Sequence, residues 1–246
     1  MDMSRDHSSY TETGIDADQA LRSFFGRVYL KVAVGLAMSA AIAWALAYAP
    51  VVRAVFFTPF NGARYGLTTA GWVLLVSPLV AMFPANFLVR DPIGAAAGPV
   101  FWLVAASMAG SMSTLALVLT GAGLVSTFLV AAVTFAALVV WGFATHQNLR
   151  GLGSFGSIAL FGFILALAVN LFFGSPPIYL LLNVLGLLLF AALAGSDTKR
   201  LYAIHSDSPG PAYRGAVSSF GALSLYLNAV NVVLIFVSFR KSRSRN

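Results

Sequence analysis

Residues 178–196 read IYLLLNVLGLLLFAALAGS, a run without one charged side chain. A helix rises about 1.5 Å per residue, so a run of this length crosses the roughly 30 Å hydrocarbon core of a bilayer. Its residues lack the strict apolar–polar alternation of a barrel strand, and it is too long for one. Six more runs of this kind are read along the chain: Val28–Ala49, Ala70–Val89, Ala97–Leu119, Leu124–Thr145, Ser154–Phe173 and, last, Val217–Phe239. They follow one another with short breaks. The expectation is an all-α membrane protein, one bundle of about seven transmembrane helices in a single domain spanning residues 28–239.

The composition agrees. Hydrophobic residues make up 59% of the 246 positions and charged residues 9%. Soluble domains carry about a quarter charged residues, so this chain has too little charge to cover a water-facing surface. It contains no cysteine, which excludes disulfides, thiolate metal sites and a Cys nucleophile. The net charge of +7 is the excess that cytoplasmic loops and anionic lipid headgroups favour, and no basic stripe interleaved with aromatics points to nucleic acid. Residues 1–27 read as a polar, cytoplasmic N-terminal tail without the apolar core of a cleavable signal, and residues 240–246 as a basic C-terminal tail.

Lysine and arginine positions orient the bundle. With the N-terminus inside, Arg5, Arg22, Arg27, Lys31, Arg90, Arg150, Lys199, Arg200 and Arg214 fall on the cytoplasmic side, against Arg53 and Arg64 opposite. The polar segment Asp197–Gly215 is then cytoplasmic as well. Seven full crossings put Arg240, Lys241, Arg243 and Arg245 outside, against the rule; a final helix that re-enters would keep them inside. The length of the last run favours seven crossings. The loop after the first run holds Pro50, Arg53, Pro59, Asn61, Gly62 and Arg64, and Pro78 and Pro84 kink the second run. Small residues at helical spacing, Gly35, Ser39 and Ala43 in the first run and Ala106 and Gly110 in the third, permit close helix packing.

Polar groups inside a bilayer are expensive, so function is sought among them. In the last run Gly221, Ser224, Asn228, Asn231 and Ser238 form one stripe. Asparagines facing lipid would leave donors and acceptors unsatisfied, so this helix is expected inside the bundle or against a cavity. The stripe reads either as hydrogen bonding between helices or as the lining of a pathway. In the sixth run Asn183, Gly186, Phe190 and Asp197 share a face, with Asp197 at the cytoplasmic end beside Lys199 and Arg200. Asp197 reads either as an interfacial carboxylate paired with Arg200 or as a titratable gate. No Walker loop, HExxH, GxSxG or dinucleotide fingerprint occurs. His7, His146 and His205 lie outside the runs, and Asp197 has no acidic partner in another run, as an intramembrane aspartyl protease would need. The chain is therefore expected to be no enzyme, with no catalytic residue, cofactor or resident metal.

Four stretches carry a resemblance. Thr145-His146-Gln147-Asn148-Leu149 with Gly151-Leu152-Gly153-Ser154-Phe155 fits a T-x-x-D/N-L-x-G-x-G-S-F turn. Asn170-Leu171-Phe172-Phe173 fits an N-I/L-F helix end, and Ser196-Asp197-Thr198 a Y-D-T-Q helix end. Ala222-Leu223-Ser224-Leu225-Tyr226-Leu227-Asn228, through Asn231, fits an A-L-x-L-Y-L-D/N-x-x-N helix. In this order and spacing the chain resembles the Bax inhibitor family, in its bacterial YccA-like branch. The resemblance implies a bundle with the last helix central, in the bacterial inner membrane. It also implies a pH-sensitive calcium leak built on an aspartate pair, or regulation of a membrane-anchored ATP-dependent protease. Asp197 matches the first aspartate of that pair; Asn228 stands at the second position, and Lys199 where glutamine is usual. Arg90 stands near the place of an arginine at the end of the second helix. With the stripes read above, the candidates for pH sensing or gating are then Asp197 and Asn228, and those for pathway lining or helix contact are Asn231, Ser224, Asn183, Arg90 and Arg200. An Asp197–Asn228 pair lacks the repulsion between two carboxylates, so pH control is expected to be weaker or differently placed than in relatives with both.

Overall fold

The computed structural model of the chain describes residues 4–60, 64–88, 97–118, 130, 133–137, 140, 150–206 and 211–243. Helix α1 is Ser4–Tyr48, so the expected N-terminal tail continues directly into the first long helix. After Ala49 a short helix α2, Pro50–Phe56, begins on a proline, whose missing N–H is not needed in a first turn. Strands β1 (Phe57–Phe60) and β2 (Arg64–Leu67) then pair antiparallel, Phe57 against Leu67 and Phe60 against Arg64. From the sequence a plain loop is expected here, and the chain forms a short helix and a hairpin instead. The strands are too short for an alternation signal, and the legible clue was the Asn61-Gly62 dipeptide between them. The Arg53 guanidinium lies 5.1 Å from the centre of the Tyr65 ring.

Helix α3, Thr69–Leu88, is started by Thr68, whose Oγ1 accepts from the Gly71 N–H at 3.0 Å. Helix α4 is Ala97–Val118. The fourth expected run lies almost wholly outside the described residues; residues 133–137 within it are helical. Helix α5, Arg150–Phe173, ends where Gly174 adopts φ 63° and its N–H reaches the Asn170 carbonyl at 2.7 Å. That left-handed turn suits glycine, and Pro176 then opens helix α6, Pro176–Ser206. The sixth run was expected to stop at Ser196, but α6 continues through it, so Asp197 lies inside a helix rather than at its end. Helix α7, Pro211–Arg243, is unbroken, which fits a crossing helix and not one that turns back.

Three described segments are long and apolar enough to cross a bilayer: Gln19–Tyr48, Pro176–Ile204 and Gly215–Val237. In the most apolar window of each, 67% of the α7 residues are buried, against 28% in α1 and 33% in α6. Helix α7 is thus the inner one, packed on α1, α4 and α6, while α3 packs on α4 and α5 on α6. The outer helices turn apolar residues outward, among them Phe161, Ile164 and Phe172 of α5 and Leu185 and Leu188 of α6. A surface of this kind is compatible with lipid and not with water. Trp44, Tyr48 and Trp72 are exposed at neighbouring helix ends, as in an interfacial aromatic belt.

Candidate functional site

The polar stripe of α7 meets α6. Asp197 Oδ2 accepts from Ser224 Oγ at 2.5 Å and from Asn228 Nδ2 at 2.9 Å. Ser224 and Asn228 lie four residues apart, one turn, so both point along the same face at the same oxygen. Asn228 is buried, at 6% exposure. The helices approach closely because Gly221, one turn below Ser224, leaves room for the Leu201 side chain, and Gly186 for Phe163 and Ile235. A carboxylate withdrawn from water needs donors, and these two hydrogen bonds provide them.

The structure sorts the remaining residues of the sequence reading. Asn183 is buried, but its amide donates to the Tyr179 carbonyl of its own helix at 2.9 Å, away from Asp197. Arg200 is exposed and acts on Asp197 through its field, while the direct contacts of the carboxylate go to α7: the Asn228 partner that the resemblance implies is met, and the i,i+3 pairing with Arg200, one of two readings of Asp197, is not formed. Asn231 is half-buried, one turn beyond Asn228. Arg90 lies outside the described residues.

Two polar contacts on the other side of α7 were not anticipated. Tyr226 Oη and Ser39 Oγ are 2.7 Å apart, and Ser39 Oγ also lies 2.7 Å from the Gly35 carbonyl and 3.1 Å from the Ala105 carbonyl. This junction ties α7 to α1 and α4. Nearer the start of α7, Lys31 Nζ donates to Ser218 Oγ at 3.2 Å and Ser219 Oγ at 2.6 Å. Those hydroxyls in turn donate to the Gly215 carbonyl at 2.8 and 3.3 Å. The sequence clues were a lysine just inside the first run and a serine in its small-residue stripe. Neither clue names a partner, since the partners lie almost two hundred residues away.

A further contact repairs α3. Pro78 has no N–H for the Leu74 carbonyl, four residues before it. Ser77 Oγ donates to that carbonyl at 2.7 Å, and Ser111 Oγ of α4 reaches it at 3.3 Å and the Leu75 carbonyl at 3.0 Å. Gly110 allows the approach, with the Leu74 side chain occupying the space a Cβ would take.

Comparison with known proteins gives one consistent picture. Residues 21–245 match the family described as inhibitor of apoptosis-promoting Bax1. An uncharacterised protein of Caulobacter vibrioides is 37% identical over 226 residues, covering 92% of this chain and 90% of that one. A Deinococcus radiodurans protein, likewise uncharacterised, is 30% identical over 225 residues, covering 91% and 92%. The inner membrane protein YbhL of Escherichia coli is 27% identical over 219 residues, covering 88% and 90%.

Proposed function

This chain belongs to the Bax inhibitor family, and from that premise we propose that it is a passive, pH-sensitive cation pathway whose closed state is held by Asp197 against Ser224 and Asn228. It is an integral protein of the bacterial inner membrane. The observation that carries the reading is an ionisable side chain inside the bundle, spent on a contact between two helices. An ionisable group withdrawn from water inside a transmembrane bundle is costly and marks a functional site. Protonating Asp197 removes the charge that draws Ser224 and Asn228 to it, which weakens the α6–α7 contact. Calcium is the reference ion of this proposal, since carboxylate, amide and hydroxyl oxygens are hard ligands. With one carboxylate at the site, calcium is held weakly, as a leak requires.

A second reading, a non-conducting regulator bound to a membrane-anchored ATP-dependent protease, is favoured by one feature. The polar groups of the site are spent on each other, and Asn228 replaces the acid that would make a second cation ligand. In both readings the chain performs no chemical step. Purified protein in liposomes, compared for calcium, potassium and proton flux, separates the two. Calcium flux that rises as the pH falls, and is altered in Asp197→Asn, supports the pathway. Absence of flux for every ion at every pH rejects it in favour of the regulator.

A further inference from the structure

Helix α7 carries polar side chains on two opposite faces. At about 100° per residue, Ser224 and Asn228 fall on one face, while Ser219 and Tyr226, seven residues apart, fall on the other. The first face meets Asp197 of α6. The second is tethered twice to α1: by Lys31 to Ser218 and Ser219, and by Ser39 to Tyr226 two turns further along. Tyr226 and Ser39 are both fully buried, and the Tyr226 hydroxyl also reaches the Ala105 carbonyl of α4 at 3.3 Å.

We propose that Tyr226, through Ser39 and the Ala105 carbonyl, is a positioning residue that sets the rotation of α7 and so aims Ser224 and Asn228 at Asp197. In a bilayer the apolar surface of a helix has no preference between a neighbouring helix and lipid, so burial alone does not fix its rotation. The packing face beside Tyr226 is smooth, built from Ala222, Ala229, Val230 and Val233. Small and branched side chains there pack almost equally well after a modest turn. Hydrogen bonds are directional, and a hydroxyl leaving this dry junction finds no water to replace its partner. Ser39 and Tyr226 bring two protons to a cluster that contains the Gly35 and Ala105 carbonyls, so both hydroxyls are used when α7 sits as observed. Gly35 lets the cluster close: a Cβ there would lie 2.9 Å from Phe101 Cζ and 3.3 Å from the Tyr226 ring. The Lys31 tether holds the start of the helix in the same sense. The inference rests on the Asp197 contact being the working one, and it concerns the geometry of that contact, not conduction.

The test reads the contact directly, without flux. In protein labelled with 15N-asparagine and held in nanodiscs, the Asn228 side-chain amide is assigned by its loss in Asn228→Gln. Its hydrogen bond to a carboxylate moves one proton downfield and slows exchange with water. Tyr226→Phe keeps the ring and deletes the hydroxyl on the opposite face of α7. It is expected to speed that exchange about fivefold, the population change produced by losing one hydrogen bond of ordinary net strength. Ser39→Ala is expected to do the same, and serves alone if Tyr226→Phe does not fold. Phe101→Leu, which loosens the packing on Tyr226 and keeps both hydroxyls, is expected to lower the melting temperature and leave the Asn228 signal in place. An unchanged Asn228 amide in the hydroxyl variants overturns the proposal, as does an equal change in Phe101→Leu. If liposomes show no flux while the amide responds as expected, the pathway reading fails and the positioning role stands.

Discussion

Among the described residues the hydrogen-bond donors to Asp197 are Ser224 and Asn228, with Arg200 acting from a distance, and this sets what substitution at Asn228 does. Replacing that amide with a carboxylate deletes a hydrogen bond to Asp197 Oδ2 and puts a second negative charge 2.9 Å away, at the distance the amide nitrogen now occupies. Two carboxylates so close share a proton, because both cannot be charged at once. The shared proton is bound more tightly than either site alone would bind it, and it comes off at higher pH. Asn228→Asp is therefore expected to raise the midpoint of any pH-dependent flux or helix motion by about one pH unit or more. Asp197→Asn is expected to abolish that transition. Flux or accessibility of α7 followed across pH in the two variants checks both. An unmoved midpoint in Asn228→Asp would assign the titration to another group, His205 or His146 being the remaining candidates.

Among the elements, α3 and α7 show two ways in which helices are fitted to one another in lipid. Pro78 leaves the Leu74 carbonyl of α3 without its helical partner, and Ser77 and Ser111 share the repair. Either serine alone can serve the carbonyl, so Ser77→Ala and Ser111→Ala are each expected to cost about 0.5–1 kcal/mol. The double variant leaves the carbonyl unsatisfied, and its loss is expected to exceed the sum of the two by about 1 kcal/mol or more. Reversible denaturation in mixed micelles, arranged as a double-mutant cycle, measures this coupling; simple additivity would mean that the carbonyl has another partner. On α7, Gly221 leaves the space that Leu201 fills beside the Asp197 contact. Gly221→Val is expected to overpack the seam, destabilising the bundle by about 1–3 kcal/mol and pushing Ser224 off the carboxylate. The loss is measured by the same denaturation, and wild-type stability in this variant would show that the α6–α7 seam yields freely.

For the whole molecule, orientation is the open consequence. From the basic residues, the N-terminal segment and the Asp197–Gly215 segment are expected in the cytoplasm, and Arg53 and Arg64 on the other side. Because the chain has no cysteine, single cysteines can be placed without background. With an impermeant thiol reagent on spheroplasts, a cysteine at Ser8 or Ser208 is expected to stay unlabelled until the membrane is opened. One at Asn61, between the strands of the hairpin, is expected to label at once. Labelling of Ser8→Cys or Ser208→Cys from outside would invert the topology.

The sequence alone determined that this is a helical membrane protein and which family it belongs to. The first is a property of single segments, since about twenty apolar residues are needed to cross a bilayer, and the second of short motifs in a fixed order. The stripe of α7 was legible for the same reason, since helical spacing is local, and it correctly placed this helix inside the bundle. Partners were legible only where the resemblance supplied them. The Asp197–Asn228 pair, 31 residues apart, is implied by the family resemblance and not by spacing; spacing offers Arg200, three residues on, and leaves out Ser224, 27 residues away, as a donor to the carboxylate. Lys31 and Ser39 find theirs at separations of 187 and 188 residues. Helix ends shifted too: α6 runs through Asp197 to Ser206, because polar residues end an apolar run without ending a helix. Lipid makes every apolar face equivalent, so hydropathy cannot say which face of one helix meets which face of another. Only the assembled bundle decides that, by closing hydrogen bonds that no bilayer interior would supply.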